Sequence, residues 1–186
     1  LSPYLRLSGR SQDKNHFNRL LIGASEHPSV LQGHGFSKEF VSDLTILPDG
    51  RIDTEGLESE LKRSLELGQK PLVSIQAANS ETGVLQEIGQ ISVLVHQYAG
   101  LLHVDAVQAA GRLPLDRLCA GADLLSLSAH KLGGPQGVGA LIVRGGGLHF
   151  DHPLLRGGGQ EQGRRSGTEN VAGIFAFGAA CQTAFK

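Results

Sequence analysis

The chain has 186 residues, a net charge of −1 and 40% hydrophobic residues, which is typical of a globular domain with one sizeable core. No basic patch indicates nucleic-acid binding, no run of about 18 apolar residues indicates a membrane span, and no signal-peptide pattern is present. The two cysteines, Cys119 and Cys181, lie in apolar helical contexts, so we expect buried thiols, no disulfide framework and a cytoplasmic protein.

Apolar stretches alternate with helical patterns along the chain. Residues 1–18 show no sustained period and predict a helix end followed by a loop. Strands are predicted at 19–25, 41–47, 71–77, 101–104, 123–127 and 138–143. Helices are predicted after Pro28, at 53–67 with a stripe of Leu57, Leu61 and Leu65, at 87–99, from Pro114 and Asp116 to near Gly121, and at 169–186.

The connections between these strands predict an α/β fold. Helix-length segments separate the first five strands, so we expect them to be parallel, with helices on both faces of the sheet. The link from residue 127 to residue 138 is only about ten residues, too short for a parallel crossover. The sixth strand should therefore run antiparallel to the fifth.

Polar side chains follow the carboxyl ends of several predicted strands, where ligands bind in open α/β sheets. They are His27, Asn79, Asp105, Gln108, Ser128, His130 and Lys131. In contrast, the histidines His96 and His103 lack a third donor at metal-ligand spacing, and we expect no metal site.

Lys131 and Asp105 together suit the chemistry of pyridoxal phosphate (PLP). A lysine amine in a partly desolvated pocket is more readily neutral, and a neutral amine attacks a carbonyl to form a Schiff base. A carboxylate against the pyridine nitrogen keeps that nitrogen protonated, so the ring can accept electrons. Seen singly, Lys131 is also typical of a surface lysine and Asp105 of a helix N-cap.

Five segments in this order resemble the cysteine desulfurases, PLP-dependent enzymes of the class V aminotransferase group. They are Glu26–Leu31, Ala78–Val84, His103–Gln108, Ser128–Lys131 and Arg165–Asn170. The resemblance implies that residues 1–186 form the PLP-binding large domain of fold type I. It also implies that a further N-terminal segment precedes Leu1, and that a cysteine loop and a small domain follow Lys186.

The resemblance implies roles for three polar residues. His27 would stack on the cofactor ring and help with proton transfer. The family has an Asn-Asn pair that contacts the cofactor's phenolic oxygen, and here Asn79 is followed by Ser80. Thr168 would reach across a homodimer interface to the partner's cofactor phosphate, although it is also typical of a helix N-cap.

The remaining residues are suited to the cofactor by their own chemistry. The Gln108 amide can donate to the phenolate oxygen of PLP. Ser128 and His130 can donate to its phosphate, while Lys131 holds the other end of the same molecule.

The resemblance implies an enzyme that takes sulfur from L-cysteine, leaving alanine and an enzyme persulfide. The sulfur would pass to an acceptor or scaffold protein, for iron–sulfur cluster or other sulfur cofactor assembly. Two alternatives remain open: another class V enzyme, such as an aminotransferase or selenocysteine lyase, or a non-catalytic cofactor-binding module. We expect the 186-residue chain by itself to be inactive, because neither Cys119 nor Cys181 suits the nucleophilic thiol.

Overall fold

A computed structural model describes residues 5–7, 16–145, 148–150 and 153–184. Within these ranges the strands are β1 (Leu5–Leu7), β2 (Arg19–Gly23), β3 (Val41–Leu44), β4 (Pro71–Gln76), β5 (Leu101–Asp105), β6 (Leu124–Ser128), β7 (Gly139–Val143) and β8 (Leu148–Phe150). The helices are α1 (Pro28–Leu31), α2 (Thr54–Glu66), α3 (Ile88–Gln97), α4 (Leu115–Leu118) and α5 (Val171–Ala184). Short 3-10 turns occur at Lys38–Phe40, Ala129–Lys131 and Gln160–Gly163.

The main sheet has six strands in the order β3-β2-β4-β5-β6-β7. The strands from β3 to β6 are parallel, and β7 runs antiparallel to β6, with Ser128 paired to Gly139. The predicted fold class, a mostly parallel sheet with one antiparallel strand, is therefore confirmed. The short link after β6 explains the reversal, because it is too short to return the chain to the sheet's other end.

A separate two-stranded sheet was not foreseen. Residues 5–7 form β1 and pair antiparallel with β8. We predicted no strand within residues 1–18, so this expectation was wrong for these three residues. A three-residue strand next to a polar segment carries no periodicity that a sequence window can detect.

Alternate residues of the central strands pack on opposite faces of the sheet. One cluster joins Leu21, Val73 and Leu102 to Leu61 of α2 and Ile91 of α3. The second cluster lies on the other face of the sheet. Its strand residues are Leu20, Ile22, Leu72, Leu101 and Leu124, and they pack with Phe17, Phe36 and Val30 of α1. Helices thus lie on both faces, and each fully buried leucine contributes about 1.5–3 kcal/mol of hydrophobic stabilisation.

Helix α2 shows how the predicted stripe differs from the observed one. The Asp53 carboxylate caps the helix, accepting from the backbone N–H of Glu55 and of Gly56. Leu57 and Leu61 are fully buried, whereas Leu65 is 58% exposed. A leucine at every fourth position drifts around a helix of 3.6 residues per turn, so Ser64 takes the buried place instead.

The last helix begins slightly later than predicted. Asn170 caps α5, since its Oδ1 accepts from the backbone N–H of Gly173 at 3.1 Å. The interpretation of Thr168 as the N-cap was therefore wrong. The predicted helix 169–186 otherwise matches α5, with residues 185 and 186 outside the described ranges.

The two cysteines differ in burial. Cys119 is buried as predicted, but Cys181 is only half-buried, because α5 leaves much of its surface uncovered by the described residues. Both are free thiols. Within the described ranges, no helix is long and apolar enough to cross a membrane.

Candidate active site

The carboxyl ends of three neighbouring strands bring the predicted polar residues to one edge of the sheet. In register, Gln76 on β4 lies beside Asp105 on β5, which lies beside Ser126 on β6. His27 comes after β2, the next strand in the sheet. Ser128 is the last residue of β6. The ends of β4, β5 and β6 are followed by Asn79, by Gln108, and by His130 with Lys131, respectively. The parallel topology thus collects all of these residues at the same edge.

Asp105 is the half-buried carboxylate at the centre of this edge. Its Oδ1 accepts from the backbone N–H of Val107 at 2.9 Å. Burial raises the pKa of Asp105, while the Val107 hydrogen bond and the nearby His27 act in the opposite direction.

His27 is held at the start of α1. Its Nδ1 lies 2.8 Å from Ser29 Oγ and 3.2 Å from the Ser29 backbone nitrogen, so the ring caps the helix. Pro28 follows at the first helical position, where its missing N–H costs nothing. The imidazole is exposed, so one face and Nε2 can meet a ligand.

Ser128 and His130 form a pair at the end of β6. Ser128 Oγ lies 2.9 Å from His130 Nδ1. The 3-10 turn that carries His130 and Lys131 is anchored by Ala129, which is fully buried and accepts from the N–H of Gly134 at 2.8 Å. A Cβ at Gly134 would lie only 3.0 Å from this alanine, so a larger residue there would crowd the turn.

Lys131 is exposed among the described residues. It lines a cleft of about 750 Å³ whose other walls are Gly111, Arg112 and the side of α5 that carries Phe175. The described residues alone therefore do not form the partly desolvated pocket that we expected around this amine.

Asn79 and Gln108 are engaged in local structure. Asn79 Oδ1 accepts from the backbone N–H of Glu81 at 3.0 Å and of Thr82 at 2.9 Å, and its Nδ2 donates to Ser25 O at 3.3 Å. Asn79 thus ties the loop after β4 to the loop after β2. Gln108 is half-buried in the turn after Asp105.

Thr168 lies apart from the other predicted residues. It is exposed and lines a cleft of about 780 Å³ between β7 and α5, with Val138 and Ile174 among its neighbours. The structure therefore brings together the residues that follow β2, β4, β5 and β6, but not Thr168.

Two buried polar residues of this region were missed as candidates. Glu26 is 5% exposed, and its Oε1 accepts from the backbone N–H of Gln76 at 2.6 Å. Burial raises its pKa to about 8 despite this hydrogen bond, and the charge of Asp105 adds to the increase. His103 is 3% exposed, and burial lowers its pKa to about 3. Their sequence signals were proximity to apolar strands and membership of two of the segments that resemble the cysteine desulfurases.

No group of three or more His, Cys, Asp or Glu side chains within the described ranges is arranged to hold a metal ion. The polar edge itself offers carboxylate, imidazole, hydroxyl and amine groups.

Comparisons with known proteins agree with this fold. Residues 9–184 match the family model described as Aminotransferase class-V. A cysteine desulfurase IscS from Dictyoglomus turgidum is 41% identical over 168 residues, which are 89% of this chain and 41% of that protein. A cysteine desulfurase from Klebsiella pneumoniae is 48% identical over 134 residues, which are 72% of this chain and 33% of that protein.

A solved structure of a NifS-like protein from Rickettsia africae superposes with a TM-score of 0.78 at 36% identity, covering 90% of this chain and 45% of that one. The chain thus spans less than half the length of the relatives that it matches. Because the family model extends over almost all of its residues, this chain belongs to the class V aminotransferase family.

Proposed function

We propose that the protein is a PLP-dependent cysteine desulfurase, and that residues 1–186 form its cofactor-binding large domain. The observation that carries the proposal is the convergence of Asp105, Ser128 with His130, and Lys131 at one sheet edge of a class V aminotransferase chain. The 41% identity with a cysteine desulfurase over 89% of the chain supports this choice within the family.

The residues at the edge fit the chemical groups of PLP, the cofactor of this family. Asp105 would lie against the ring nitrogen, because a half-buried carboxylate next to the cofactor favours a protonated ring. Ser128 and His130 would donate to the phosphate, and the exposed amine of Lys131 would bind the carbonyl carbon. When bound, PLP supplies a ring that accepts electron density from the substrate's α-carbon.

His27 is proposed to stack on the ring and to move a proton. Ser29 holds the imidazole through Nδ1, so Nε2 is the nitrogen that can take or return a proton. Gln108, and the part of the Asn79 amide not already used by its loop, are proposed to face the phenolic oxygen.

The proposed reaction conserves all atoms without an external oxidant. L-Cysteine and a protein thiol give alanine and a protein persulfide: the carbon–sulfur bond breaks, a sulfur–sulfur bond forms, and the carbon gains a proton. Cys119 does not suit the thiol role, because burial raises its pKa to about 11. We propose that a thiol outside these 186 residues attacks.

Thr168 is proposed to act in a homodimer. It lines a cleft together with exposed apolar side chains, namely Leu141 on β7 and Ile174 on α5. Such a surface suits a subunit interface, and the threonine would then reach the partner's cofactor phosphate. The free thiols suit a reducing compartment such as the cytoplasm. Iron–sulfur cluster assembly is the proposed destination of the sulfur, through an acceptor or scaffold protein.

The test is to load the purified whole protein, of which residues 1–186 are proposed to be one domain, with PLP, supply L-cysteine, and measure alanine together with protein persulfide. The proposal predicts equal amounts of both in the first turnover. It also predicts loss of both products in Lys131→Arg but not in Lys38→Arg, a control on an exposed lysine far from the edge. A 2-oxo acid in place of alanine would identify an aminotransferase instead.

A further inference from the structure

Glu26 is a carboxyl group buried beside the candidate active site. The side chain is 5% exposed, and its Oε2 is a buried atom with no hydrogen-bond partner among the described residues. Oε1 receives one donor, the backbone N–H of Gln76 at 2.6 Å. A Cβ at position 23 would lie 3.0 Å from Oε1, so Gly23 leaves room for the carboxyl group. An ionised carboxylate with a single donor in so dry a place is strongly disfavoured.

Asp105 is the second carboxyl group of this region, and its surroundings differ. Asp105 is half-buried, accepts from the N–H of Val107, and has His27 nearby. The charged group that acts on Glu26 is Asp105 on β5, whereas β4 presents the neutral Gln76. Two neighbouring carboxyl groups in unequal environments divide the roles, so that one stays neutral and the other ionises.

We propose that Glu26 is a positioning residue that keeps its proton in the folded protein at neutral pH, so that Glu26 and Asp105 together carry one negative charge, located on Asp105. Burial of Glu26, its single donor and the unpartnered Oε2 all favour this distribution.

The neutral Glu26 joins two strands without adding a charge to the edge. Its Oε1 links the turn after β2 to Gln76, which is the register neighbour of Asp105. The Gln76 side chain returns to the same turn, donating from Nε2 to Ser25 O at 2.8 Å. A charged Glu26 would repel the charge on Asp105. The positioning role rests on the proposed function, because it matters only if Asp105 faces a protonated ring.

The first test needs no cofactor. The pKa of Glu26 rises from 4.5 to about 8 on folding, so the folded state holds a proton that the unfolded state has released between these values. The ratio of the parent's folding equilibrium constant to that of Glu26→Gln should therefore fall as the pH rises. The expected decrease is up to about tenfold per pH unit from pH ~5 to ~8. Glu66→Gln makes the same change at an exposed glutamate on α2, and its folding equilibrium constant should depend on pH as the parent's does. If the ratio of the two folding equilibrium constants does not change with pH over this range, the proposal is wrong.

A second measurement stands even if the glutamine variant does not fold. In the parent labelled with carbon-13 at the glutamate carboxyl carbon, one resonance should titrate near pH 8. If every glutamate titrates near its ordinary value, the proposal is wrong. In the PLP-loaded protein, Glu26→Gln should keep the parent's visible absorption spectrum, and a shifted spectrum contradicts the positioning role. Failure of the proposed function would instead appear as absence of alanine while the glutamate titration stays at high pH.

Discussion

His103 Nδ1 lies 2.8 Å from Ser74 Oγ, so the imidazole on β5 is hydrogen-bonded to a neighbouring strand. The other ring nitrogen, Nε2, lies 2.8 Å from Ser126 Oγ on β6. One neutral histidine therefore joins three parallel strands, two residues before Asp105. Since the ring is 3% exposed, protonation would leave a positive charge in the core, which burial disfavours.

This burial predicts a loss of stability in acid. The pKa of His103 falls from 6.5 to about 3 on folding, so between these values the unfolded state binds a proton that the folded state does not. The contribution of His103 to the free energy of unfolding is fully present above pH 6.5, and this contribution should then fall by up to about 1.4 kcal/mol per pH unit as the pH decreases. Denaturant unfolding at several pH values measures this slope.

The comparison variant is His103→Gln, whose amide cannot take up the proton. Its unfolding free energy should fall less steeply than the parent's between pH 6 and pH 4, whereas His149→Gln on an exposed site should follow the parent. Equal slopes for the parent and His103→Gln would show that His103 is already protonated in the folded protein.

Asp105→Asn should reduce turnover far more than cofactor content. The amide keeps the size and an acceptor for the Val107 N–H, but it removes the negative charge that is proposed to face the ring nitrogen. Hydrogen bonds to charged groups contribute about 1.5–3 kcal/mol, which corresponds to a turnover roughly 10 to 100 times lower. Bound PLP and the rate of alanine formation should be measured together.

The matched control is Asp116→Asn, the same change at an exposed carboxylate on α4. Parent-like turnover in Asp105→Asn would mean that Asp105 is not the partner of the ring nitrogen.

The sheet and its polar edge could be predicted from the sequence because both depend on local patterns. Apolar runs separated by amphipathic helices predicted the central strands to within a few residues. The ten-residue link after β6 predicted that β7 runs antiparallel. Strand ends then located Asp105 and Lys131 at one edge, because parallel strands present the same end to the ligand side.

What could not be predicted depends on contacts between distant residues. In the sequence, Glu26 is an ordinary acidic residue next to His27. Only the fold shows that the backbone N–H of Gln76, 50 positions away, donates to its carboxyl group. His103 was considered as a metal ligand, but its two partners lie on other strands. The exposure of Leu65 was also not predicted, because a stripe of leucines does not show which of them faces the sheet.

Two leucines of α2 provide a test of the core. Leu61→Ala should lower the free energy of unfolding by about 2–5 kcal/mol, because the side chain is fully buried between the helix and the sheet. Leu65→Ala, one turn later and 58% exposed, should change it by less than about 0.5 kcal/mol. Similar losses at both positions would contradict the orientation of this helix.

The 186-residue chain by itself should release no sulfur from L-cysteine when PLP is supplied. Neither thiol suits attack on the substrate sulfur: burial raises the pKa of Cys119 to about 11, and Cys181 lies half-buried in the apolar helix α5. Persulfide detection on the isolated chain measures this. If turnover occurs and Cys119→Ser or Cys181→Ser abolishes it, that cysteine is the sulfur acceptor.

The most direct test of the proposed function is the identity of the lysine that binds PLP. The PLP-loaded protein should be treated with borohydride, which fixes the cofactor to its lysine, and the labelled peptide should then be mapped. The proposal predicts the label on Lys131, at the end of β6 beside Ser128 and His130. A label on Lys38 or Lys70 instead would contradict it.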